Sequence, residues 1–110
     1  MSTPPVILIV EDDEGHAILV RENLELAGLN NRIEHFSDGQ AVLDFLFRHG
    51  RGQVREHEQM YLVLLDIRMP KVDGIEVLRR IKEDQELRKL PVIMLTTTDD
   101  MREVQRCHEL

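Results

Sequence analysis

With one cysteine, no tryptophan and 4% aromatic residues, this chain cannot hold an internal disulfide and must build its core from aliphatic side chains. The lone thiol, Cys107, reads as a packing residue and fits a reducing compartment. Basic residues are also scarce. Lys and Arg number 14 against 21 Asp and Glu, and the net charge of -7 works against nucleic-acid phosphates and anionic membranes as partners. No apolar run reaches transmembrane length, and Met1-Ser2-Thr3-Pro4-Pro5 has neither the basic start nor the apolar stretch of a signal peptide, so a cytoplasmic location is expected. The five histidines, at 16, 35, 49, 57 and 108, form no i, i+4 pair or other zinc spacing, which leaves them surface or packing roles.

What remains is an ordinary balance of 42% apolar and 32% charged residues in 110 positions, enough for one domain over residues 1–110 and one core. Three short, uninterrupted apolar runs stand out: Val6 to Val10, Leu62 to Leu65 and Val92 to Leu95. Such runs, bounded by turn residues, suit strands buried on both faces of a parallel sheet. Arg32 to Phe36 alternates instead, as an edge strand would.

Helical spacing fills the intervals. Ala17, Val20, Leu24 and Ala27 recur on one face of a helix over 14–27, with Gly28 as its stop. Ser37 with Gln40 makes a capping pattern ahead of Ala41, Val42, Phe45 and Leu46. Asp73 with Glu76 makes another, ahead of Ile75, Leu78 and Ile81. Asp100 with Glu103 opens a fourth helix containing Met101 and Val104. The segment from His49 to Met60 is polar and reads as a long surface connection. The order is β-α-β-α-β-α-β-α, which implies a doubly wound α/β sheet.

Right-handed crossovers place the carboxyl ends of all parallel strands on one edge, where ligand chemistry collects in such folds. Glu11-Asp12-Asp13, Asp66 and Thr96 then meet if strands one, three and four are neighbours. Carboxylates gathered within a few ångströms repel one another unless a cation neutralises them. With no Cys and no close His expected among them, the ligands are hard oxygens that suit Mg²⁺, and Thr96 could donate a hydrogen bond to a phosphoryl oxygen. Each residue also has a plainer role open to it. Asp66 can bond its own turn before Pro70, the acidic triplet can cap the first helix, and Thr96 to Thr98 can cap the fourth.

Taken together, the Glu11-Asp12 pair, Leu-Leu-Asp-Ile-Arg-Met-Pro-Lys-Val-Asp-Gly around Asp66 and Leu-Pro-Val-Ile-Met-Leu-Thr ending at Thr96 resemble the receiver domain of two-component response regulators. The resemblance runs from Val6 through the whole chain. It implies a flavodoxin-like sheet of order 2-1-3-4, with Asp66 as the phosphoacceptor from a histidine kinase phosphohistidine. It implies Mg²⁺ held by Asp12, Asp66 and the Arg68 backbone carbonyl, with Glu11 acting through a water. Thr96 would bond the phosphoryl group and serve as a switch, while Arg68 and Thr98 tune its lifetime. The implied partner is a sensor histidine kinase, phytochrome-type or hybrid, or a phosphotransfer protein.

The family's fifth strand and helix, with their lysine and aromatic switch residue, have no counterpart in the 110 residues, and Lys71, Lys82 and Lys89 lie in the wrong segments for that lysine. A truncated receiver is therefore expected, which could form a homodimer through the strand-four edge or helix four. The alternative function is a receiver-like module that docks a kinase or other partner without turnover. A flavodoxin fits poorly, since the acidic triplet would repel its phosphate. A haloacid-dehalogenase phosphatase would want a second Asp where Arg68 stands.

Overall fold

A computed structural model describes residues 4–48, 54–56, 58–67 and 72–95. Its elements are β1 (Val6–Val10), α1 (Glu14–Leu26), β2 (Ile33–Phe36), α2 (Gly39–Leu46), β3 (Tyr61–Asp66), α3 (Gly74–Glu83), a 3₁₀ turn (Leu87–Lys89) and β4 (Val92–Leu95). The four strands form one parallel sheet in the order β2-β1-β3-β4. The fourth helix expected from Asp100 onward lies outside the described residues, as do His49, His57 and Cys107.

The continuous apolar runs follow from covering the sheet on both sides. Successive strand residues point to opposite faces. Val6, Leu8, Val10, Val63 and Leu65 join α2 and α3 in the larger core, whereas Ile7, Ile9 and Leu64 meet Ala17 on α1 across the other face. The few aromatics concentrate in the larger core. Phe45 stacks against Phe36 at 5.1 Å and against Tyr61 edge-on at 5.5 Å, and the buried Tyr61 hydroxyl accepts from the Glu56 N–H.

The third run is less buried than the other two, as its outermost place in the expected order 2-1-3-4 implies. β4 is the outer strand of the described sheet; Val92, Met94 and Leu95 are half-buried and Ile93 is 50% exposed. Among the described residues β4 has a neighbouring strand on one edge only, whereas β1 and β3 have one on each, and an outer strand is covered less.

Helix ends show the same mixture. Asp13 accepts from the His16 N–H to start α1, and Asp73 accepts from the Glu76 N–H to start α3. For α2 the cap is Asp38 rather than Ser37: its carboxylate takes the Ala41 N–H at 2.7 Å, and Gln40 turns to Asp44 instead of back to the cap. Ala17, Val20 and Leu24 face the sheet as expected, but Ala27 caps the helix and is exposed. Glu76 also does not reach back; it pairs with Arg79, whose guanidinium holds the Glu76 carboxyl below its ordinary range. In the same way Arg55, anchored on the Leu46 carbonyl, lowers the Glu86 carboxyl.

At the end of α1 the chain turns through Gly28 at φ +89°, with Gly28 N–H to the Glu25 carbonyl and Leu29 N–H to the Leu24 carbonyl. This is the paired bonding of a left-handed helix stop, which favours glycine. No heavy atom lies within 4 Å of an added Cβ there, so Gly28→Ala meets only the backbone cost. Urea unfolding is expected to show a loss of about 1 kcal/mol.

Candidate functional site

Parallel register builds the site. Val10 stands opposite Leu65, so Glu11 and Asp66, the next residue on each strand, emerge side by side at the carboxyl edge. β4 continues the row, with Leu95 opposite Asp66. The helix that follows β1 begins at Glu14, which holds Asp12 and Asp13 at the mouth of this edge. Among the described residues, Glu11, Asp12 and Asp66 bring carboxylate oxygens within 4.8 Å of one another. Asp13 does not join them, because its carboxylate is spent on capping α1.

Burial grades the three. Glu11 is 2% exposed and Asp66 9%, while Asp12 faces solvent. Glu11 is fixed on every side: Oε1 accepts from the Asp13 N–H at 3.2 Å, Oε2 lies 2.8 Å from His16 Nδ1, and its backbone carbonyl lies 2.7 Å from His35 Nε2. These contacts overturn the expectation of no histidine close to the cluster, while the candidate metal-holding group itself contains none. The overlooked signal was position. His16 falls on the first turn of a helix launched from the strand that ends at Glu11, and His35 is one residue from the end of the neighbouring strand.

The floor of the site is equally constrained. Gly74 opens α3 with its N–H on the Ile67 carbonyl at 2.8 Å, and a Cβ at Gly74 would stand 2.0 Å from the Asp66 backbone oxygen. Asp66 and Ile67 are therefore clamped by their backbone onto the start of α3. Gly39 plays a similar part, since its missing Cβ leaves room for the Val72 carbonyl. Arg68, Thr96 and Thr98, the other residues expected at the site, lie outside the described residues. A separate groove of about 350 Å³ between α2 and α3, lined by Leu43, Phe47, Arg80 and Glu83 among others, shares no residue with the acidic cluster.

Three convergent carboxylates form a hard-oxygen set that fits a divalent ion of the Mg²⁺ class. Two like charges 4.8 Å apart repel by about 1 kcal/mol at water-like screening, and by more where the field is less screened. Asp12→Asn is accordingly expected to raise the metal-free melting temperature while weakening the stabilisation that added Mg²⁺ confers. Thermal melts in EDTA and in a Mg²⁺ series read both effects.

Comparison with known proteins covers almost the entire chain. The family model described as the response regulator receiver domain matches residues 7–110. A probable methanogenesis regulatory protein, FilR2 of Methanothrix harundinacea, is 46% identical over 108 residues, spanning 96% of this chain and 68% of that protein. The solved Mn²⁺-bound form of response regulator Rcp1 superimposes with a TM-score of 0.80 at 34% identity, covering 96% of this chain and 75% of that one. The bacteriophytochrome response regulator AtBRR does so with a TM-score of 0.79 at 34% identity, covering 97% and 76%.

Proposed function

The chain belongs to the receiver-domain family of response regulators, and from that premise we propose that its residues 1–110 form one receiver domain whose phosphoacceptor is Asp66. The observation that carries the assignment is the convergence of Glu11, Asp12 and Asp66 within 4.8 Å at the carboxyl edge of a parallel sheet. Among these three, Asp66 ends strand β3, and its backbone lies against the start of α3.

In the proposed step, one Asp66 carboxylate oxygen attacks the phosphorus of a partner's phosphohistidine. The new O–P bond makes an acyl phosphate, the P–N bond breaks, and the imidazole leaves with its electron pair and takes a proton from solvent. No general base is needed, because the nucleophile is already an anion. The demand is alignment and relief of charge repulsion. Asp12, Asp66 and the Arg68 backbone carbonyl would hold Mg²⁺, with Glu11 reaching it through a water, and the ion's charge would offset the repulsion among the anionic groups. Thr96 would donate its hydroxyl to the phosphoryl group and act as the switch, and Arg68 and Thr98 would set how long that group survives. The Mn²⁺-bound state of Rcp1 supports the choice of a divalent ion.

A sensor histidine kinase or a phosphotransfer protein is the proposed donor, and likeness to a bacteriophytochrome regulator favours a phytochrome-type kinase. Among the described residues, no helix is long and apolar enough to cross a membrane. A cytoplasmic place beside a kinase's transmitter fits this role.

Incubation with acetyl phosphate tests the reading without knowledge of the kinase. Intact mass is expected to gain a single phosphoryl group in Mg²⁺ and none in EDTA. A protein that gains none in either, or equally in both, is the docking module without turnover or an acceptor of another kind.

A further inference from the structure

Glu11 is a nearly fully buried carboxylate, and a buried carboxylate needs a partner for each oxygen. Oε1 receives the Asp13 N–H. Oε2 receives His16, from the first turn of α1, at 2.8 Å. An ionised carboxylate only accepts hydrogen bonds, so His16 must carry its proton on Nδ1. The same reasoning applies to the backbone: the Glu11 carbonyl also only accepts, so His35, 2.7 Å away on β2, must carry its proton on Nε2. Two imidazoles from two different elements thus hold one residue, one by its side chain and one by its main chain.

We propose that His16 is a positioning residue for the divalent-ion site, fixing the Glu11 carboxylate so that its remaining lone pairs face Asp12 and Asp66, while His35 fixes the strand end beneath it. The inference rests on the phosphoacceptor reading above. Glu has three rotatable side-chain bonds, and a donor that locks its carboxylate in the binding orientation removes the ordering cost from the binding event. His16 suits the task. It is 31% exposed at the side chain and sits on the helix that begins immediately after the acidic pair, so it reaches Glu11 without entering the core or occupying the ligand position.

Mn²⁺ serves as the probe, its binding followed through loss of the free aqueous ion's electron paramagnetic resonance signal in titrations of wild type, His16→Ala and His16→Asn. Metal-free thermal melts accompany each protein. His16→Ala is expected to raise the Mn²⁺ dissociation constant about tenfold. His16→Asn, whose amide nitrogen falls close to the position of Nδ1, is expected to recover most of that loss. Recovery in binding, whatever the two variants do to the metal-free melting temperature, separates positioning from a merely structural role. Equal Mn²⁺ affinity in wild type and His16→Ala overturns the inference and leaves the metal site standing, as does an Asn variant no better than Ala. Absence of Mn²⁺ binding by wild type overturns both this inference and the metal assignment beneath it.

Discussion

Asp66→Asn is expected to abolish phosphoryl uptake from acetyl phosphate while leaving the chain folded. The amide matches the carboxylate in size and keeps a carbonyl oxygen, but its neutral oxygen is a far weaker nucleophile and cannot form a stable acyl phosphate. The substitution also removes one of three charges held within 4.8 Å. Relief of that repulsion, on the order of 1 kcal/mol, opposes whatever the altered hydrogen bonding at position 66 costs. A folded protein without uptake assigns the chemistry to Asp66. Undiminished uptake in the variant would move the acceptor elsewhere.

Gly74→Ala is expected to impair both fold and function. A Cβ at this position would lie 2.0 Å from the Asp66 backbone oxygen and 2.8 Å from Ile67 Cα, and these atoms are backbone, not the yielding end of a side chain. Nor can α3 slide away cheaply, because the Gly74 N–H is bonded to the Ile67 carbonyl and Ile75, Val77, Leu78 and Ile81 are buried behind it. Relief requires moving the end of β3 or the start of α3, at roughly 3 kcal/mol. The movement displaces Asp66 directly, so uptake should fall more than the folded fraction does. Gly28→Ala, with open space around its Cβ, is the natural control: a stability loss with uptake preserved.

Some of this architecture was readable from residues alone, and the reason differs by element. β1 and β3 announced themselves because both their faces are covered, which demands apolar residues at every position. β4 carries the same apolar pattern at the outer position of the described sheet, where half-exposure replaces burial; adjacency in space is not written into a four-residue run. Asp73 was legible as a cap because no competing residue precedes it. Ser37 and Asp38 are neighbouring cap formers, and only the entry angle of the chain decides that Asp38 reaches the Ala41 N–H. On α1 the stripe of Ala17, Val20 and Leu24 was legible although the outward face also carries Ile18, Leu19 and Leu26, all more than half exposed; only Ala27 falls beyond the packed turns.

The acidic cluster was legible because parallel topology converts two strand ends distant in sequence into neighbours. Its histidine supports were not. A search for metal-ligand spacing weighs histidines against each other, whereas His16 and His35 act singly, each on the same glutamate. Gly74 was visible only as part of a turn. The approach of its backbone to Asp66 depends on how α3 docks, which no local pattern encodes.

The central claim is an acyl phosphate on Asp66, and borohydride tests it at the atom concerned. Borohydride reduces an acyl phosphate to an alcohol, converting aspartate to homoserine and releasing phosphate. After incubation with acetyl phosphate and Mg²⁺, then borohydride, fragment mass spectra are expected to place homoserine at position 66 and at no other acidic residue, Asp12 included. Homoserine elsewhere, or a phosphorylated protein that yields none, would contradict the account.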